Sequence, residues 1–199
     1  MRPLIPASAL ALLAAFSVSG CNTLQRVMPD RAPSLLPAPL PTLAGGEARA
    51  EITDRSGRTV GGAVFAPSPN GVLLRLEARG LTPGWHGMHL HAKGDCSDPA
   101  FQNAGAHVKH AGQSQHGLSN PQGPEAGDLP NLWVDGSGRA SVELFSGLAS
   151  LRGGAGDRQV LLDGDGSALV IHAAPDDHRT QPIGGSGDRV ACGVIRPAL

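Results

Sequence analysis

The chain has 199 residues, with 16 basic against 17 acidic side chains for a net charge of −1, and it holds 28 glycines and 17 prolines. One domain per roughly 150 residues gives one folded unit with a tail. Near-neutral charge, 3 % aromatics and no tyrosine exclude the cationic field and stacking platforms of a nucleic-acid binder.

Met1 to Cys21 reads as an export signal. Arg2 gives a positive start, and Ala9 to Phe16 is an unbroken apolar run too short to span a bilayer. Val18-Ser19-Gly20-Cys21 resembles a bacterial lipobox, in which the cysteine is diacylated and becomes the first residue. Residues 1–20 are thus expected to be removed, with Cys21 as the lipid anchor. Asn22 after that cysteine favours the outer membrane, by resemblance to lipoprotein sorting rules. Residues 21–46 carry Pro29, Pro33, Pro37, Pro39 and Pro41 without strand or helix period, as in an extended tether. The folded domain is expected over 47–199.

Strands with turns fill that domain. Ala48 to Thr53 alternates and stops at Asp54-Arg55-Ser56-Gly57, and Arg58 to Phe65 follows. Asn70-Gly71 turns the chain into Val72 to Glu77. Met88 to His91 is short. Leu132 to Val134 and Ala140 to Leu144 flank Asp135-Gly136-Ser137-Gly138. Gln159 to Leu162 and Ala168 to His172 flank Asp163-Gly164-Asp165-Gly166, and Arg189 to Ile195 closes the domain. No stretch has a long helical period, so the expected class is an all-β sandwich or barrel. Two long segments, Ala92 to Pro130 and Ala173 to Asp188, interrupt the pattern, and long loops on a compact domain are usually functional. Trp133, beside a turn, suits either the core or an interface, so a homodimer stays open.

Of three cysteines, lipidation of Cys21 leaves Cys96 and Cys192 as an even pair in an exported chain. Such a pair bonds in an oxidising compartment, or else stays as two buried thiols.

Eight histidines stand out, six of them between His86 and His116. His89 and His91 sit two apart in a strand, so both rings leave the same face, roughly 6–7 Å apart at the backbone. His172 ends another strand, while His107, His116 and Asp128 lie in the first long loop. Imidazole suits copper and zinc, and a mixed histidine–aspartate set suits zinc.

These residues carry a resemblance. Gly84-Trp85-His86-Gly87-Met88-His89-Leu90-His91 resembles the G-x-H-G-x-H-x-H signature of the copper,zinc superoxide dismutases. Gly94-Asp95-Cys96, Ala104-Gly105-Ala106-His107, Gly127-Asp128-Leu129-Pro130, Leu169-Val170-Ile171-His172 with Asp176-Asp177, and Arg189 to Ile195 resemble further segments of that family in order and spacing. The lipobox and Pro-rich tether resemble its bacterial, periplasm-facing members.

The resemblance implies a Greek-key β-barrel of about eight antiparallel strands. It implies copper on His89, His91, His107 and His172, with His107 bridging to zinc on His116 and Asp128. It implies Asp176 linking His89 to His116, Arg189 at the channel mouth, a Cys96–Cys192 disulfide and a structural His86. His107 and Arg189 would be the catalytic side chains, with superoxide as substrate and copper as the redox metal. One position departs: nine residues after His116, where the family has a third zinc-binding histidine, stands Glu125. A carboxylate oxygen ligates zinc at about the same distance as an imidazole nitrogen. The expectation is therefore an altered zinc site, with His110 a nearby substitute and a copper-only enzyme as the alternative. A copper-holding module without turnover is the competing class. Lys93 and Lys109 (the only two lysines) and Arg179 are candidates for steering an anionic substrate.

Overall fold

The computed structural model describes residues 48–109, 115–153 and 156–198. The export signal, Cys21, the tether and His110 lie outside them.

Eleven strands form among the described residues: β1 (Ala48–Asp54), β2 (Thr59–Ser68), β3 (Gly71–Arg79), β4 (Gly84–His86), β5 (Met88–His91), β6 (Leu132–Val134), β7 (Arg139–Ser146), β8 (Ala149–Ser150), β9 (Gln159–Val160), β10 (Ser167–His172) and β11 (Arg189–Pro197). The expected class holds. Seven strands make one antiparallel sheet in the order β5-β10-β11-β1-β2-β3-β7. Its two edges approach through their chain neighbours: β4 precedes β5, β6 precedes β7, and β4 pairs with β6. Its β6 half is the expected Leu132 to Val134 strand, whereas its β4 half lies across Gly87 from β5 and is not legible as a separate strand. The β8–β9 pair is parallel, a local departure from an all-antiparallel barrel.

Two hairpins share one turn chemistry. Asp54 Oδ1 accepts the backbone N–H of Ser56 and Arg58 at 2.9 and 3.1 Å, and Asp135 Oδ1 accepts those of Ser137 and Arg139 at 2.8 and 3.0 Å. Each carboxylate mimics a backbone acceptor and fixes the register of the strands it joins.

The period of two decides where the histidines go. On β10, Leu169 and Ile171 enter the main core with Ile52, Leu76, Leu90 and Leu132. Ala168 and Val170 face the opposite way, onto a smaller cluster with Phe101, Ala104 and Cys192. On β5, Met88 and Leu90 are the core side chains, which sends His89 and His91 to the outer face. Both are nevertheless fully buried, because the long loop after β5 folds over them. The Cys96–Cys192 disulfide fastens that loop to β11 with Cα atoms 5.9 Å apart.

Trp133 is not in the core. It is 52 % exposed and pairs across β4–β6 with Trp85, itself 53 % exposed, with ring centroids 5.0 Å apart. The alternation of β6 points Leu132 and Val134 inward and leaves the tryptophan outside.

Candidate metal centre

His89 and His91 leave the same face of β5, and His172 ends β10, which pairs with β5 through Val170 opposite His89. His107 arrives from the loop by a bridge to His91. Four rings therefore meet. One donor atom from each lies within 4.8 Å of all the others, and every ring is buried.

The nitrogens divide in a telling way. His89 Nε2–H donates to Asp176 Oδ2 at 2.8 Å, His91 Nδ1–H to the Gly105 carbonyl at 2.9 Å, and His172 Nδ1–H to the Gly187 carbonyl at 2.9 Å. His107 Nδ1 lies 3.0 Å from Glu125 Oε2 and 3.3 Å from Asp128 Oδ1. The remaining atoms, His89 Nδ1, His91 Nε2, His107 Nε2 and His172 Nε2, are buried without a hydrogen-bond partner. Orphaned buried polar atoms are rare and call for an explanation. Four aimed at one another, with each opposite nitrogen tied by a hydrogen bond, are the arrangement of a metal site with fixed tautomers. The residues present fit a copper ion.

Electrostatics prepares the same donors. Burial, aided by the neighbouring His107, lowers His89 to about 4 and holds His91 well below its ordinary value. Burial next to His89 lowers His172 to about 3. These three rings are neutral near pH 7, the form that binds metal.

A second grouping shares the middle of the site: His89, His107, His116 and Asp128 also have donor atoms within 4.8 Å of one another. His116 Nδ1 lies 2.7 Å from Asp128 Oδ1, and its Nε2–H donates to Asp176 Oδ1 at 3.0 Å. Asp176 thus reaches both clusters, one oxygen each. Burial opposes the charged form of His116, but Asp128 and Asp176 outweigh it and raise the ring to about 10. Burial likewise works against the charge on Asp176 and Asp128, and their histidine partners hold both carboxyls far below the usual range. Asp128 Oδ2 is occupied by the backbone N–H of Gly117 and Glu125 at 2.7 and 2.9 Å, leaving Oδ1 for the site.

Glu125 is buried and touches the grouping through His107. Its other oxygen lies 3.0 Å from Lys109 Nζ. Gly127 makes the approach possible: it packs against the Leu90 carbonyl so closely that a Cβ there would collide with it, and this brings Asp128 beside His89. Gly184 is pressed in the same way against the Asp176 carboxylate.

Arg189 begins β11 opposite His172. Its guanidinium donates to the Phe101 and Gly105 carbonyls at 2.6 and 2.7 Å. Phe101 takes a left-handed backbone (φ 57) in supplying that acceptor. His86 holds the floor, with nitrogens 2.7 and 2.6 Å from the Thr82 and His172 carbonyls. His178 sits at the rim, 3.4 Å from Asp176 Oδ2.

The structure brings together every histidine expected to hold metal, with Asp128, Asp176 and Arg189. Of the three steering candidates, it brings Lys109 to the edge of the second grouping, but with its charge held by a carboxylate, and it brings neither Lys93 nor Arg179 to a donor atom. The Lys109 charge is paired with Glu125, the Lys93 stem lies over Gly105, and Arg179 is an exposed loop residue on the Asp177 turn. Sequence reasoning missed Asn131, which exchanges two 2.8 Å hydrogen bonds with the Asp176 backbone, and Gln181, which does the same for His116 at 2.9 and 2.8 Å. A lone Asn or Gln far away in sequence carries no signal of such a role.

Residues 59–195 match the family described as Copper/zinc superoxide dismutase (SODC). A relative from Caulobacter vibrioides, Superoxide dismutase (Cu-Zn), is 54 % identical over 149 residues, covering 75 % of this chain and 85 % of that one. Superoxide dismutase (Cu-Zn) 2 from Aquifex aeolicus is 40 % identical over 151 residues, covering 75 % and 86 %. Among solved structures, a SOD-like protein from Bacillus subtilis is similar at TM-score 0.68 and 36 % identity, covering 76 % of this chain and 97 % of that one. The Cu/Zn superoxide dismutase from Brucella abortus is similar at TM-score 0.59 and 26 % identity, covering 75 % and 99 %. With the paired histidine clusters, these likenesses make the chain a member of the copper/zinc superoxide dismutase family.

Proposed function

We propose that this chain disproportionates superoxide to oxygen and hydrogen peroxide at the four-histidine cluster, in the cell envelope. The observation that carries the reading is the set of four buried, unpartnered nitrogens facing one another. Copper bound there supplies an electron acceptor for one superoxide and an electron donor for the next, while zinc in the second site fixes structure and charge.

The chain supplies the rest. Asp176, Gly105 and Gly187 orient the rings by holding the opposite nitrogens. His107 stands between the sites, with Nε2 toward the copper cluster and Nδ1 toward Asp128 and Glu125. Its Nε2, when not held by copper, would be the atom to take a proton and return it to the peroxide, general-acid help where charge develops. Two superoxide anions and two protons give one oxygen and one peroxide. Glu125 serves as the fourth donor of the zinc site, with His107, His116 and Asp128. Arg189 keeps a cation beside His91 and His172, anchored by two carbonyls, where it draws in a small anion.

The test is superoxide consumption by the metal-loaded protein against free copper. Activity above free copper is expected, whereas activity no greater would favour a copper-holding module. Arg189→Ala should lower the rate about tenfold and flatten its dependence on ionic strength. A variant with unchanged rate and salt slope would remove Arg189 from substrate capture.

The same reading places the enzyme in the periplasm, tethered through lipid on Cys21, with the outer membrane favoured by Asn22. Its support is the sequence of residues 1–46. Cys21→Ser should release the protein from the membrane fraction, and continued sedimentation with membranes would end the lipid-anchor reading. The exposed Trp85–Trp133 pair supports a homodimer, which sedimentation velocity reads directly.

A further inference from the structure

Glu125 sets a problem in electrostatics. Exchanging a neutral imidazole for a carboxylate puts a second buried anion in the site, beside Asp128. Both approach the same atom, His107 Nδ1, at 3.0 and 3.3 Å. When no divalent cation stands between them, two carboxylates this close repel, and burying them in low dielectric is costly. His116 lies between Asp128 and Asp176, and His107 Nδ1 is shared by Asp128 and Glu125, so the further charge that Glu125 adds calls for a cation of its own.

Lys109 is placed to do so. It is one of only two lysines in the chain. The segment 106–108 pairs with β5, through the His91–His107 bridge and the 2.9 Å bond from Val108 N–H to the Leu90 carbonyl. In that extended stretch His107 and Lys109 are two apart and leave the same face, so both reach Glu125. His107 Nδ1 meets Oε2 and Lys109 Nζ meets Oε1, each at 3.0 Å. The Glu125 side chain is 4 % exposed and that of Lys109 is 45 % exposed. The ammonium is therefore the solvent-side cap of the site, on the carboxylate oxygen turned away from His107.

We propose that Lys109 is the resident counter-ion of the second metal site. It offsets the charge that Glu125 adds while the site lacks a metal, and it becomes redundant once a divalent cation supplies that charge. The inference rests on Glu125 being a donor to the second metal. Its consequences differ from those of an ordinary surface ion pair. The zinc-free protein should depend on Lys109 and the zinc-filled protein should not. Because an ammonium near the site also repels an incoming cation, zinc should bind more tightly without it.

The test compares full-length native protein, Lys109→Met, Glu125→Gln and the double variant, all preloaded with one equivalent of copper. Thermal unfolding is measured without and with zinc, and zinc affinity by chelator competition. Lys109→Met should lower the zinc-free midpoint, regain most of the loss on adding zinc, and bind zinc about threefold or more tighter. In the Glu125→Gln background the same change should move neither quantity. Equal loss of both midpoints, or zinc affinity that is unchanged or weaker, would overturn the counter-ion. Glu125→Gln alone should weaken zinc about tenfold or more. Unchanged zinc affinity in that single variant would instead overturn the ligand reading beneath the inference, leaving the copper cluster untouched.

Discussion

His89→Ala abolishes copper retention and brings superoxide consumption down to that of free copper. His89 touches more of the centre than any other ring. Its Nδ1 is one of the four orphaned donors, and its Nε2 is tied to Asp176. Its ring stacks on His107 at 4.1 Å and lies 4.9 and 5.4 Å from His172 and His116. Removing it deletes a donor and frees one oxygen of Asp176, loosening the link that orients His116. Loss of an outer partner alone costs about 10–100-fold in metal affinity, so loss of a donor together with that link should exceed roughly a hundredfold. The fold survives, because His89 lies on the outer face of β5 while Met88 and Leu90 hold the core. Far-UV circular dichroism unchanged beside lost copper is the expected pair of results. Full copper content in this variant would contradict the ligand assignment.

Cys96→Ala with Cys192→Ala destabilises the domain and slows catalysis together. The bridge spans 96 positions of sequence, and the chain-entropy model assigns such a loop on the order of 4–5 kcal/mol. A loss of that size should shift a denaturant midpoint plainly. The catalytic effect follows from what the bridge fastens. The loop after Cys96 carries Phe101 and Gly105, whose carbonyls hold Arg189, and the Gly105 carbonyl also orients His91. With the loop released, the cation and one ring lose their fixed positions. A variant stable to denaturant yet slow would leave the loop-anchoring role and remove the entropic one. A fast but unstable variant would do the reverse.

The sequence made much of this architecture legible, and the reasons are physical. The i, i+2 spacing of His89 and His91 survives folding because strand side chains alternate, so the shared face is readable from the spacing alone. The same rule separates Leu169 and Ile171 from Val170 on β10. Asp54 and Asp135 announced their turns because a short carboxylate can bond backbone two residues on. What spacing could not reveal was long-range closure. The β4–β6 pair joins positions nearly fifty apart and leaves two tryptophans outside, although a tryptophan by composition suits a core equally well. The orienting groups were invisible for another reason. The Gly105 and Gly187 carbonyls are backbone, which every residue possesses, and Asn131 and Gln181 act from the far side of the fold. From sequence Lys109 is a candidate for steering an anion, and only its contact with Glu125 shows where its charge is spent.

Anomalous diffraction at the copper and zinc edges, from crystals of the metal-loaded protein, tests the two-metal reading most directly. One copper peak should lie among His89 Nδ1, His91 Nε2, His107 Nε2 and His172 Nε2. One zinc peak should lie against His107 Nδ1, His116 Nδ1, Asp128 Oδ1 and Glu125 Oε2, so that a single imidazole touches both ions. A copper peak away from the four-histidine cluster, no zinc peak in the second site, or a His107 ring that does not touch both metals would contradict it.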